Sequence, residues 1–402
     1  MRIAIIHSGN SGFFPRFYKA LYSVIETNGD TCRLYVPNSG RNHRCILPGQ
    51  QIFGNRLNWF IHNRLFCITG IRDIFSIFST LNLLYKFNKY KPDLIHCNLI
   101  NDDFLNIPLF VHYVNKHNIP IIWTMHDCRA FTGGCPYFDE VKCDKWKTGC
   151  GKCPQKETPI DGTHIQWIIR KYWINKIKKL QIVVPSNWLA NFVKESFLRK
   201  HPIKVIYNGV DISIFSNKIN IDIRKKYHIN SSKKIILGCA IHWENRKGLK
   251  FFEQMAPMLN SEYQIVLIGG ISKETQENLK KKGIICTGKT STIEEMVAWY
   301  QNASIFVNPT LADNFPTTNI EALASGTPII TFNTGGSPEA IDNKTGIVVP
   351  KGNLNKLISA IEQINKTPTN YTKKNCIDRA KHFSQKQYLE YYKLYLKIIN
   401  NE

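Results

Sequence analysis

The chain has 402 residues, 43% of them hydrophobic, enough to bury an ample core and to form two or three domains. Its 53 basic and 30 acidic residues leave a formal charge of +23, which favours anionic partners (nucleic acid, anionic lipid or phosphorylated small molecules) without choosing among them. No uninterrupted apolar run approaches the roughly 18 to 20 residues of a membrane span, so no spanning helix is expected.

The first ten residues, MRIAIIHSGN, open on a strand-like run and lack the charged, apolar and small-residue succession of a secretory signal. A cytoplasmic protein is expected, in which the twelve cysteines are thiols or metal ligands rather than disulfides. Short apolar runs bounded by Pro, Gly and Asn predict strands at 2–7, 32–37, 93–97, 119–124, 181–184 and 204–207, with helical patterns between them. The same rhythm restarts with strands at 234–241, 264–269, 284–287, 304–308, 328–332 and 346–349. Two successive doubly wound parallel sheets follow, an α/β fold divided near YNGVDISIF (207–215) into residues 1–206 and 207–383. Ligands of such sheets sit beyond the carboxyl ends of the strands, so two facing domains would share one cleft. GNSG (9–12) stands at such an end, with Gly9 and Gly12 on the loop, but it lacks the full G-x-G-x-x-G spacing of a dinucleotide site.

Two basic, aromatic segments follow in the first half, FGNRLNWFIHNRLF (53–66) and WIIRKYWINKIKKL (167–180). Their composition suits the surface of an anionic membrane, although an apolar face that merely covers the sheet reads the same way. Between them lies MHDCRAFTGGCPYFDEVKCDKWKTGCGKCP (125–154). Cys135, Cys143, Cys150 and Cys153, separated by seven, six and two residues, are compatible with one closed, non-catalytic Cys₄ zinc site; free thiols or a pair of disulfides would show the same spacing. The polar and glycine residues of this loop offer little core, so a metal is expected to supply its order. His126 opens the segment. A lone histidine after a buried strand is commonly structural, but Asp127 and the strand-end position beside it favour a functional role.

The segment richest in chemistry is DNFPTTNIEALASGTPIITFNTGGSPEAI (313–341). NFPTT opens a helix and EALASG closes it, which puts Asp313 and Glu321 two turns apart on one helical side. The amides of Phe315, Thr317 and Thr318 at the helix start form an anion site, and Glu321 is suited to accept hydrogen bonds from vicinal sugar hydroxyls. Only Lys344 is basic across residues 301–350, so a bound diphosphate needs cations from elsewhere. HWENRKGLKFF (242–252) supplies Arg246 and Lys247 at another strand end, with Gly248 allowing close backbone approach.

At these residues the chain resembles the family 4 glycosyltransferases of two-domain GT-B architecture, two Rossmann-like domains facing across a cleft. The likeness rests on TMHD (124–127), VVPSNWLANFVKESFL (183–198), VIYNGVDISIF (205–215), RKGL (246–249), DNFPTTNIEALASGTPII (313–330) and NTGGSPEAI (333–341). It implies a retaining transferase, without a required cofactor, that moves a sugar from a UDP- or GDP-linked donor to a glycan or polyprenyl-diphosphate-linked acceptor of a bacterial surface polysaccharide. It places Lys247 on the donor diphosphate, Glu321 on the ribose, Asp313, Asn314 and the amides after them near the sugar and diphosphate, and His126 at the reacting centre; Glu339, after NTGG, reads equally as a helix first-turn acid or as a donor ligand. It also makes 384–402 a closing helix that crosses back to the N-terminal domain, and peripheral attachment to the inner face of the plasma membrane an expectation. The family's first acid is usually Glu, and Asp313 is one methylene shorter; its glycine-rich acceptor loop is here only HSGNSGFF.

The residues agree with that chemistry. No Asp-x-Asp occurs in the chain, so departure of the nucleotide is expected to rely on cations and helix amides instead of a metal held by carboxylates. Two rival functions share parts of the pattern: an epimerase or hydrolase of nucleotide sugars, and a zinc-bearing nucleic-acid binder. Against the second, the basic residues are spread over the whole chain and no nucleic-acid module appears, so no nucleic-acid partner is expected.

Overall fold

The structure is a computed structural model that describes residues 1–9, 12–39, 42, 43, 45–100 and 104–400. The chain forms two compact units, one of Met1–Tyr207 together with the segment from Lys386 onward, the other of Asn208–Gln385.

The first unit is built on seven parallel strands: β1 (Arg2–Ile6), β2 (Thr31–Pro37), β3 (Gln50–Phe53), β4 (Leu94–Asn98), β5 (Ile121–Thr124), β6 (Leu180–Val184) and β7 (Ile203–Val205), in the order β3-β2-β1-β4-β5-β6-β7. Ile3 of β1 lies between Cys32 of β2 and Leu94 of β4, and the order reverses there, at the switch point where such sheets gather ligands. Ile3, Ala4, Ile5 and Ile6 are all fully buried, because helices cover both faces of the central strands. Those helices are α1 (Phe14–Thr27), α2 (Arg56–Thr69), α3 (Ile77–Tyr90), α4 (Ile107–Lys116), α5 (Thr163–Ile174) and α6 (Asn187–Glu195).

Helix α1 buries Phe14, Phe17, Tyr18, Leu21 and Ile25, one stripe at helical spacing. Ser186 starts α6 by accepting the Leu189 amide at 3.1 Å. Helix α2 differs: of its 14 residues only His62 is buried, held to Ser76 Oγ at 2.6 Å.

The helix Lys386–Ile399 completes this unit against α1, burying Tyr388, Tyr391, Leu394 and Tyr395. Tyr395 Oη lies 2.6 Å from His96 Nδ1, His96 Nε2 lies 2.7 Å from Thr124 Oγ1, and Thr124 donates to Tyr391 Oη at 3.3 Å. One continuous hydrogen-bond chain thus satisfies four polar groups inside an apolar core.

The second unit has six parallel strands, β8 (Lys234–His242), β9 (Tyr263–Gly270), β10 (Ile285–Gly288), β11 (Ala303–Asn308), β12 (Ile329–Phe332) and β13 (Gly346–Val349), in the order β10-β9-β8-β11-β12-β13. Its switch point falls between β8 and β11. All twelve strands expected from sequence are present; β3 was not expected, because Gln50-Gln51-Ile52-Phe53 is a short, half-polar run that pairs on one side only.

Candidate functional site

The carboxyl ends of β8, β11 and β12 bring the charged residues of the second unit together. After β8 the chain turns through Asn245–Lys247, and Gly248 then takes φ +79° with its α-carbon against the Pro309 carbonyl; a β-carbon there would stand 2.1 Å from that oxygen. This contact pins the Arg246–Lys247 turn to the loop after β11. Lys247 Nζ lies 2.6 Å from Asp313 Oδ2, with the side chains 26% and 13% exposed, so the pair is formed but open to solvent. Arg246 faces the scaffold: its Nη1 donates to the Ala312 carbonyl at 2.8 Å and its Nη2 to Glu244 Oε1 at 2.6 Å, while its own carbonyl accepts the Leu311 amide at 2.7 Å. Lys247 therefore presents the charge and Arg246 shapes the loop that meets it.

Asp313 is in that loop and not on the helix. The helix runs Thr317–Ala324 with Pro316 at its cap, so the expectation that Asp313 and Glu321 share one helical side is corrected. Proline fixes the entry one turn later than the motif suggests, and it offers no side-chain acceptor for the amides of Thr317 and Thr318. Phe315 precedes the helix and is buried, and its carbonyl accepts from Asn208 Nδ2 at 3.2 Å. Asn314 is buried, and its carbonyl accepts the Gly336 amide at 2.7 Å. Gly335, at φ +58°, lies so close to the Asp313 carbonyl that a β-carbon would stand 1.6 Å from it, which ties NTGG to the same loop.

Glu321 is 6% exposed and its Oε2 accepts from Tyr300 Oη at 3.1 Å. Burial, with Glu321 among the lesser causes, holds the Tyr300 phenol well above its usual range, so it stays a donor. Glu339 is half-buried in the Ser337–Ala340 turn, where Arg379 Nη2 donates to its carbonyl at 2.7 Å. Sequence reasoning missed Tyr300 and also Thr334, whose buried hydroxyl has no partner among the described residues although it adjoins Gly335. A threonine before two glycines was the available signal.

In the first unit the ends of β1, β4 and β5 carry His7, Asn98 and His126. His126 Nε2 lies 3.1 Å from Asn98 Oδ1, and the buried Asn98 Nδ2 has no partner among the described residues. Phe17 meets the His126 ring edge-on at 6.1 Å. Enclosure by protein outweighs the neighbouring Asp127 and pulls the His126 imidazole down to about 4, so it is neutral at physiological pH. Asp127 itself caps the turn at Cys128–Phe131 and pairs with Arg129 at 2.9 Å. His7, which sequence reasoning also missed, is 4% exposed, stacks on Phe14 at 3.4 Å, and accepts the Gly9 amide at Nδ1, 2.9 Å away. That bond leaves the His7 proton on Nε2, and burial keeps the ring well below its usual range. Gly12 has φ +64°; the two residues between Gly9 and Gly12 lie outside the described residues.

Cys135, Cys143, Cys150 and Cys153 line one cavity of about 20 Å³, room for one water-sized sphere. The Gly133 amide donates to Cys150 Sγ at 3.2 Å. Burial raises the Cys135 and Cys150 thiols to about 12 and about 11, and Cys153 in the same direction. Among the described residues no group of three or more His, Cys, Asp or Glu side chains is placed to hold a metal ion. The premise that this loop lacks core is corrected. Phe131, Phe138 and Trp146 are buried against one another, and Phe138 and Trp146 meet Phe192 of α6, with Phe138 and Trp146 ring centres 4.7 Å apart. The fully buried Arg170 adds a brace: its Nε is 2.6 Å from Asp73 Oδ2, and its Nη1 donates to the carbonyls of Arg129 and Thr132.

Comparison with known proteins matches this architecture. The model of Glycosyltransferase Family 4 covers residues 28–214, and that of Glycosyl transferases group 1 covers residues 232–366. The chain is 23% identical over 297 residues to the Escherichia coli K12 protein WcaC, named for glycosyl transfer in colanic acid biosynthesis, covering 70% of this chain and 71% of that one. It is 28% identical over 250 residues, 58% of this chain and 65% of the other, to the N,N'-diacetylbacillosaminyl-diphospho-undecaprenol alpha-1,3-N-acetylgalactosaminyltransferase of Campylobacter jejuni. Among solved structures, sucrose-phosphate synthase of Thermosynechococcus elongatus superposes with a TM-score of 0.72 at 17% identity, over 100% of both chains. The Anabaena protein HepE in complex with UDP superposes at 0.70 and 13% identity, over 98% of this chain and 99% of that one. Two parallel doubly wound units in series, carrying the sequence features of both family models in order, make this chain a glycosyltransferase of family 4, with the GT-B fold.

Proposed function

We propose that the enzyme transfers a sugar from a nucleoside-diphosphate donor, UDP- or GDP-linked, to a glycan or polyprenyl-diphosphate-linked acceptor of a bacterial surface polysaccharide, with retention at the anomeric carbon. The observation that carries the reading is the Lys247–Asp313 pair beside the start of the Thr317–Ala324 helix, with Glu321 buried on the same helix. A free diphosphate competes with Asp313 for Lys247, so the pair holds the cation in place until the donor arrives. As the bond from the anomeric carbon to the phosphate oxygen breaks, charge grows on that oxygen, and Lys247 with the Thr317 and Thr318 amides stabilises it. Glu321 accepts hydrogen bonds from the ribose hydroxyls, and the Thr334 hydroxyl, which has no partner among the described residues, serves the donor as well. The acceptor oxygen bonds to the anomeric carbon on the face the phosphate leaves, and its proton passes to the departing phosphate oxygen.

His126, Asn98 and His7 serve the acceptor side. All three are uncharged, which suits sugar hydroxyls better than a diphosphate. The names of the Escherichia coli and Campylobacter jejuni relatives support the polysaccharide and lipid-linked parts of this reading. Calorimetry with UDP and GDP tests the donor, and product analysis with and without a lipid-linked glycan acceptor separates transfer from hydrolysis. Binding of neither nucleotide, or sugar release that ignores the acceptor, would refute the proposal.

A further inference from the structure

Glu321 lies on the Thr317–Ala324 helix, whose backbone is held from its other side. Asn319, two residues earlier and so about 200° round the helix, accepts from Asn308 Nδ2 at 2.8 Å and donates to Ser337 Oγ at 2.9 Å. Thr331 Oγ1 lies 2.8 Å from the same Ser337 hydroxyl, so β11, β12 and the Ser337–Ala340 turn grip the helix through buried hydrogen bonds. This network sets where the Glu321 α-carbon stands. It does not set the direction of the carboxylate, which three side-chain torsions separate from the backbone.

Tyr300 reaches that carboxylate from the neighbouring helix, Ile293–Asn302. Its ring is fully buried, meeting Phe306 at 5.5 Å and Phe215 at 6.1 Å, and its backbone carbonyl accepts from Thr327 Oγ1 at 2.6 Å. The helix is anchored at its start, where Thr292 caps it and Glu295 pairs with Lys226 at 2.5 Å. The phenol is therefore a fixed donor, held protonated by burial, and it gives its hydrogen to Glu321 Oε2 at 3.1 Å. A buried carboxylate whose plane is set in advance matches the paired 2′- and 3′-hydroxyls of a ribose. One that can turn loses that match, and with it the distinction between ribose and 2′-deoxyribose.

We propose that Tyr300 is a positioning residue that orients Glu321 and so sets the preference for a ribonucleoside over a 2′-deoxyribonucleoside diphosphate. The inference rests on Glu321 as the ribose ligand, and the test separates the two. Calorimetry with UDP, GDP and their 2′-deoxy forms compares the wild type, Tyr300→Phe, Glu321→Ala and the double variant. The wild type should prefer the ribose form about 30-fold, Tyr300→Phe about threefold, and Glu321→Ala not at all. Tyr300→Phe should weaken UDP or GDP binding about tenfold, with KM for the nucleotide sugar rising in step and kcat within about twofold of wild type. In the Glu321→Ala background the same change should cost nothing further. Phenylalanine keeps the ring and its packing, so the variant should melt in one transition. Wild-type discrimination in Glu321→Ala would overturn the ribose assignment and this inference with it. Discrimination lost in Glu321→Ala but kept in Tyr300→Phe would overturn the inference alone. So would an affinity loss that persists in the double variant, or failure of Tyr300→Phe to fold, either of which would make Tyr300 a structural residue.

Discussion

The two sheets end differently. The carboxyl edge of the second carries an ion pair, Lys247 with Asp313, a buried carboxylate at Glu321 and a helix start; that of the first carries two neutral imidazoles and an amide. The fold is the same, so on the proposed reading the contrast follows from what each edge would bind. A diphosphate demands a cation whose position is fixed before binding, and a carboxylate partner fixes it. A sugar hydroxyl demands neutral donors and acceptors, and enclosure keeps His7 and His126 uncharged.

The hardest blow to this contrast is removal of the cation. Lys247→Ala should lower turnover by about 10²- to 10³-fold, the range for losing one donor to a developing anion, while Arg246→Ala should cost less and act through loop order. Rate measurements near the wild-type value for Lys247→Ala and the double variant would remove the clamp from the mechanism. Glu321→Ala should weaken nucleoside-diphosphate binding by about 10- to 100-fold, as expected for hydrogen bonds to a charged group, whereas Asp313→Ala should slow transfer more than it weakens nucleotide binding. Calorimetry on both variants checks the division.

On the neutral edge the effects are smaller and of another kind. His126→Ala should slow transfer by about tenfold or more with nucleotide affinity unchanged; a collapse of Tm instead would make the residue structural. The pH dependence has a definite sign. A His126 held down to about 4 stays neutral in the fold while the unfolded chain takes up a proton near 6.5, so its contribution to stability is present above about 6.5 and is lost as pH falls toward 4. His7 and His96 act in the same direction. Melting curves between those pH values should therefore slope downward with acid, and His126→Asn should flatten part of the slope.

The smallest expected effect concerns the cysteine loop. Aromatic packing and the Asp73–Arg170 pair already order it, so Phe138→Ala should lower Tm more than Cys150→Ser or a chelator does. Elemental analysis that finds one zinc per chain, lost in Cys150→Ser together with a larger fall in Tm than Phe138→Ala causes, would make a metal the principal brace.

The sheets were legible because a buried parallel strand must be an apolar run, and Ile3–Ile6 or Ile329–Phe332 can hardly be read otherwise. The approach of the Arg246–Lys247 turn to the Asp313 loop was legible, because both segments follow strand ends of one parallel sheet. Their individual surroundings were not: Pro316 shifts the helix start past Asp313, and Tyr300 reaches Glu321 from another helix. His7 was invisible because only tertiary packing brings it to the same sheet edge as Asn98 and His126. The core of the cysteine loop was hidden for the same reason, since Phe192 and Arg170 come from distant helices.

The helix Lys386–Ile399 gives the chain an uneven order of completion. The second unit is, in chain order, an insertion between Tyr207 and Lys386, and every residue of it leaves the ribosome before the first unit has all of its own. Until that last helix arrives, His96 and Thr124 lack Tyr395 and Tyr391, and Phe17, whose ring meets His126, lacks Tyr388 and Tyr391. The second unit can therefore finish folding first, while the first unit's sheet waits on contacts separated by 299 residues. A nascent chain cut short by a dozen residues would carry a finished second unit and an unfinished first one, and the aggregation risk during synthesis falls on the N-terminal half.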